Sequence, residues 1–120
     1  MGGRLAVVHR SGMSTGLSIT EHQRQVRDLK AAKGFDITLE QRLAYLMVEV
    51  GEVAREVLKL SSDGKGTGNM SATEAEVVVE NIGMEIYDVA WNLLDLTEIV
   101  GVDLEETFDK KTRLNEDREW

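Results

Sequence analysis

Residues 73–100 read TEAEVVVENIGMEIYDVAWNLLDLTEIV, and this stretch decides the fold. Its opening Val77-Val78-Val79 is β-branched and, taken alone, suits a strand. Beyond it, Ile82, Ile86, Val89, Leu93 and Leu96 recur at three- and four-residue steps, which is the period of a helix and not of a sheet. Ser71 with Glu74, or Thr73 with Glu76, can form a capping box at the start, and Gly101 suits a left-handed stop. One long helix from Thr73 to about Val100 is therefore expected.

Working outward, Leu39, Leu43, Leu46, Val50, Val53 and Val57 fall within about 80° of arc at helical spacing. Thr38 with Gln41 caps this second long helix, expected over Leu39 to Leu60. An earlier helix is expected from Thr20, as its cap, to Lys33, with Gly34 as its stop and a weak stripe of Ile19, Val26 and Leu29. A last helix starts after Asp103, with Glu106 completing the cap, and is expected to reach the C-terminus. Between the long helices, residues 61–69 (SSDGKGTGN) read as a linker between antiparallel rods. They lack the G-x-x-x-x-G-K-[ST] spacing, and no strand precedes them, so a phosphate loop is not expected. Residues 1–17 (MGGRLAVVHRSGMSTGL) have no period and read as a flexible tail, leaving 18–120 as one all-α four-helix domain.

Composition narrows the function. At 120 residues the chain is one domain with a thin core. Proline is absent, which suits uninterrupted helices. Cysteine is also absent, which excludes disulfide scaffolds, cysteine–zinc sites and thiol enzymes, and fits a reducing, cytoplasmic setting. The net charge of −8 argues against a nucleic acid polymer as partner. No apolar run approaches a membrane span, and Leu5-Ala6-Val7-Val8 is too short for a signal core. The two long helices carry more apolar length than two short partners can cover, so a homodimer or homotetramer is expected.

The residues that could carry chemistry are acids. Glu49, Glu52 and Glu56 lie within about 60° of one another on the second helix. Their bland reading is a solvated face softened by Arg42 and Arg55. On the third helix Asn81, Glu85, Asp88 and Asn92 form a polar stripe, and Glu85 should lean inward beside Val78 and Leu96. A buried carboxylate needs a cation, a hydrogen-bond partner or a raised pKa. The alternative to a bound ion is an interhelical salt bridge. Two E-x-x-E/D pairs of hard oxygen donors suit Mg²⁺ or Mn²⁺. A di-iron site would need E-x-x-H, and neither His9 nor His22 follows a Glu in that way. On the fourth helix Leu104, Phe108, Lys111, Asn115 and Arg118 share a face that turns from apolar to cationic. Its ends can serve the helix dipole or bind phosphate oxygens.

Val48-Glu49-Val50-Gly51-Glu52, then Glu85-Ile86-Tyr87-Asp88, then Lys111-x-x-x-Asn115 resemble the MazG-like all-α nucleoside triphosphate pyrophosphohydrolases. Asn115, Arg118 and Trp120 at the end strengthen the likeness, which covers about residues 20–120. Two departures stand out. Val48 takes a place where many members have a first Glu, and residues 53–84 make an unusually long separation between the two acidic motifs.

The resemblance implies that Glu49, Glu52, Glu85 and Asp88 hold Mg²⁺ or Mn²⁺, with Glu49 or Glu52 as general base and Glu56 as an additional ligand or support. It implies that Lys111, Asn115 and Arg118 grip the phosphate tail, with Trp91 or Asn92 at the base. The implied reaction is hydrolysis of a nucleoside triphosphate between its α and β phosphates, giving a nucleoside monophosphate and pyrophosphate. Dimeric dUTPase and phosphoribosyl-ATP pyrophosphohydrolase activities are related alternatives. A non-catalytic dimeric helical module or nucleotide sensor is the alternative outside enzymology.

Overall fold

Side-chain caps set where each helix begins. In the computed structural model, which describes residues 16–61 and 70–119, the elements are α1 (Ile19–Lys33), α2 (Leu39–Leu60), α3 (Ala72–Val100) and α4 (Leu104–Glu116). Four helices and no strand are present among the described residues. Residues 1–15 of the expected tail at 1–17, residues 62–69 of the expected linker at 61–69, and Trp120 lie outside the described residues.

Thr38 with Gln41 and Ser71 with Glu74 form reciprocal capping boxes on α2 and α3, so each start falls where side chain and backbone exchange two hydrogen bonds. On α1 the cap is Ser18, not Thr20. Ser18 Oγ accepts from the Glu21 N–H, and Glu21 accepts from the Ser18 N–H at 2.8 Å. Thr20 has Gln23 three residues on, which offers the same pattern, but the Gln23 amide is engaged elsewhere. Asp103 caps α4 by accepting from the Glu106 N–H. That helix stops at Glu116, short of the C-terminus, where the Arg118 N–H tightens onto the Asn115 carbonyl at 3.2 Å. Gly34 and Gly101 end α1 and α3 at φ 68° and 79°, a left-handed backbone that a side chain resists.

Helix α3 is the centre. α2 runs antiparallel along one flank: Arg42 meets Asn92 and Asp95, Glu49 meets Glu85 and Asp88, and Glu56 meets Asn81. The seam uses a seven-residue repeat. Arg42, Leu46, Glu49, Val53 and Glu56 are, with Glu52, the less exposed positions of α2, and these five face Val78, Ile82, Glu85, Val89 and Asn92 on α3. Polar tiers thus alternate with apolar ones along the hairpin.

α1 packs on α3, and α4 packs principally on α1. Buried Gln23 locks this corner. Its Nε2 donates to Thr97 Oγ1 at 2.7 Å and to the Val102 carbonyl at 2.9 Å, while its Oε1 accepts from the Leu104 N–H at 3.3 Å. One amide therefore satisfies groups on both sides of the α3–α4 turn, as buried polar groups must be.

The apolar stripe expected to build the core is largely bare. Leu43, Val50 and Val57 on α2 and Val79, Ile86, Leu93 and Val100 on α3 are 42% to 57% exposed. At about 100° per residue both rows fall on the same side of the antiparallel hairpin. Among the described residues the buried hydrophobics are Val26 and Val78. Among them, too, no helix is long and apolar enough to cross a membrane.

Candidate metal centre

Glu49 comes from the middle of α2, and Glu85 and Asp88 come from adjacent turns of α3. Each offers one carboxylate oxygen, and the three oxygens lie within 4.8 Å of one another. Glu49 and Glu85 are half-buried and Asp88 is exposed, so the group sits in the seam with one side open to solvent.

Among the described residues the cluster has no compensating cation. Burial pushes the Glu49 carboxyl above its usual pKa, and the neighbouring charges of Asp88, Glu85 and Glu52 push it further the same way. Among the described residues no lysine or arginine pairs with any of the three. The acids beside them behave differently. Glu52 pairs with Arg55, and Glu56 with Lys59 at 2.7 Å, which holds the Glu56 carboxyl below its usual pKa. The Glu56 Oε1 is buried with no hydrogen-bond partner among the described residues.

These three groups fit a hard divalent cation. They are all-oxygen donors from two rigid helices, with no His or Cys to draw a softer metal. The exposed side leaves coordination positions for water or phosphate. Glu52, expected to join them, stands one turn along α2 and is turned onto Arg55.

One heptad away lies a second polar tier, which joins Arg42 and Asn92 to Asp95, an acid outside both expected stripes. Asp95 has no exposed surface, and its Oδ2 is 2.7 Å from Arg42 Nε. Lys30 Nζ, from α1, is 3.0 Å from Asp95 Oδ1, close enough to neutralise charge though not aligned as a hydrogen bond. Arg42 also donates to Asn92 Oδ1, and Asn92 Nδ2 donates to the Asp88 carbonyl at 2.7 Å. The guanidinium lies 5.1 Å from the Trp91 ring centre and 5.9 Å from that of Tyr45. Arg42 therefore turns away from the glutamates of its own helix. The available signal was a lone acid inside Leu93-Leu94-Asp95-Leu96, paired with an arginine seven residues before Glu49.

The remaining expected site residues are dispersed. Asn92 is buried with both ends of its amide engaged inside the protein, which turns it towards Arg42 and the α3 backbone. Trp91 is half-buried and lines an open apolar hollow of about 970 Å³ with Val26, Leu29, Tyr87, Leu94 and Phe108. That hollow lies on the flank of α3 away from α2 and its carboxylates. Lys111 is exposed, and the Asn115 Oδ1 is buried with no hydrogen-bond partner among the described residues. Neither residue bonds to the carboxylates among the described residues. Arg118 is exposed beyond the end of α4.

Comparison of the chain with family models, characterised proteins and solved structures finds no match.

Proposed function

We propose that this chain is a divalent-metal-dependent nucleotide pyrophosphohydrolase of the MazG-like type. It would cleave a nucleoside triphosphate between the α and β phosphates to give a nucleoside monophosphate and pyrophosphate. The observation that carries the reading is the convergence of Glu49, Glu85 and Asp88, unpaired among the described residues, at one point of an otherwise ion-paired seam. Three acids held together without a cationic side chain are poised for a cation, and a protein of net charge −8 meets a triphosphate only through one.

Glu49, Glu85 and Asp88 would hold Mg²⁺ or Mn²⁺, which when bound neutralises phosphate oxygens and acidifies a coordinated water. Glu52, outside the three-carboxylate group, is the acid available to take the proton of the attacking water once it leaves Arg55; Glu49 is the alternative. By the resemblance Lys111, Asn115 and Arg118 would supply donors for the pyrophosphate end; Trp91, on the flank of α3 away from the carboxylates of its own chain, is not assigned to the base. The bare apolar face of the α2–α3 hairpin favours a homo-oligomer. Covering half of a Leu, Ile or Val side chain is worth about 1 kcal/mol, and seven such residues line each hairpin.

The ion pairs of Glu52 and Glu56 favour a second reading, in which the stripes are structural and the chain is a non-catalytic helical module or nucleotide sensor. A screen of pyrophosphate release over nucleoside triphosphates, with Mg²⁺ and with Mn²⁺, separates the two. The enzyme releases pyrophosphate and loses that activity, while staying folded, in Glu85→Gln and Asp88→Asn. Release that persists in both variants would overturn the site.

A further inference from the structure

We infer that Arg42, Asp95 and Asn92 act as positioning residues for the carboxylates of the α2–α3 seam. The inference rests on the metal-binding reading above and deepens it. A continuous chain of contacts joins the buried anion to a proposed ligand. Lys30 and Arg42 converge on Asp95, Arg42 donates onward to Asn92 Oδ1, and Asn92 Nδ2 donates to the backbone carbonyl of Asp88. The Asp88 peptide thus receives a side-chain hydrogen bond whose donor is itself oriented from the opposite helix.

Register is what this tier can control. Leu46 and Val53 on α2 face Val89 and Ile82 on α3, and apolar contacts of that kind tolerate sliding. A guanidinium that must meet Asp95 and Asn92 together does not. Arg42 is two helical turns from Glu49 on α2, and Asn92 and Asp95 are each seven residues from Glu85 and Asp88 on α3. Fixing one tier therefore fixes the other. A slip of one turn, about 5.4 Å, would carry Glu49 out of reach of an ion bound at roughly 2.1 Å by Glu85 and Asp88.

Stability alone does not account for the tier. Replacing a buried ion pair by apolar side chains of similar size is often neutral or favourable, whereas polar groups in a seam are best attested as register devices. Lys30 keeps part of its side chain in water, so it can remain solvated when its partner is removed.

The test is calorimetric titration of the full chain with Mn²⁺ alone, alongside thermal melts of the same samples. In Arg42→Met/Asp95→Leu the chain stays helical and melts near or above the unmutated protein, yet Mn²⁺ affinity falls by about tenfold or more, the usual size of an outer-shell effect. Asn92→Leu keeps the ion pair but cuts the link to Asp88, and it too loses affinity. It reads the link even if the double variant fails to fold. Affinity within about twofold of the unmutated chain in a folded Asn92→Leu or double variant overturns the positioning role and leaves the metal site standing. No Mn²⁺ binding by the unmutated chain overturns both.

Discussion

Arg42 Nε lies 2.7 Å from Asp95 Oδ2, and Asp95 is shut off from solvent entirely. Removing the arginine alone leaves the buried carboxylate with Lys30 as its remaining cation among the described residues. Arg42→Ala is expected to cost up to about 3–5 kcal/mol, the usual penalty for breaking a buried ion pair, with Lys30 offsetting part of it. Urea denaturation of the variant measures it. A loss below about 1 kcal/mol would mean that the pair is solvated in solution.

Divalent ions should stabilise the fold by mass action. At a hundredfold excess over Kd, Mg²⁺ or Mn²⁺ adds about 2.7 kcal/mol, since the separated acids of an unfolded chain bind weakly. The melting temperature should therefore rise with metal concentration. In Glu85→Gln, which removes one ligand and one negative charge, the rise should shrink sharply. Equal responses in both proteins would place the ion elsewhere.

Acidity should act in two opposite directions. The Glu49 pKa is raised by burial and by Asp88, Glu85 and Glu52, so the native state binds a proton more readily than the unfolded chain. In metal-free buffer, stability should therefore increase as pH falls through the raised Glu49 value towards the ordinary 4.5. Glu21, Glu74 and Glu56 have lowered values, from their Ser18 and Ser71 capping bonds and from Lys59. Their stabilisation is present above the usual value of 4.5 and is lost as pH falls through their native values. Melts across this range should pass through a maximum. In Glu49→Gln the rise on the neutral side should largely vanish while the acid loss remains.

What the sequence disclosed follows from the range of each interaction. Caps depend on residues three apart, so Thr38–Gln41 and Ser71–Glu74 are legible. On α1 both Ser18–Glu21 and Thr20–Gln23 have the spacing of a cap, and the tertiary engagement of Gln23 leaves that role to Ser18. Helical period places Glu49, Glu85 and Asp88 on inward-leaning stripes, and they do meet. The same period cannot distinguish Glu49 from Glu52, whose difference is an arginine three residues on. The Arg42–Asp95 pairing joins residues far apart in the chain, so no local pattern announces it. Periodicity likewise marks Leu43, Val50 and Ile86 as apolar without saying which body covers them.

That bare face supplies the last prediction. Ile86 is 51% exposed and occupies the middle of the row from Val79 to Val100, opposite Val50 on α2. In a lone chain, Ile86→Lys changes a surface position and should alter stability by less than about 0.5 kcal/mol. In an assembly that buries the hairpin face, the same change puts a charge into an apolar interface and should break it. Sedimentation equilibrium is expected to find the unmutated chain as a dimer or larger, and Ile86→Lys as a folded monomer. A monomeric unmutated chain at tens of micromolar would refute the assembly. It would also leave this much exposed hydrocarbon to be explained by a different partner, because single chains rarely leave so long an apolar row facing water.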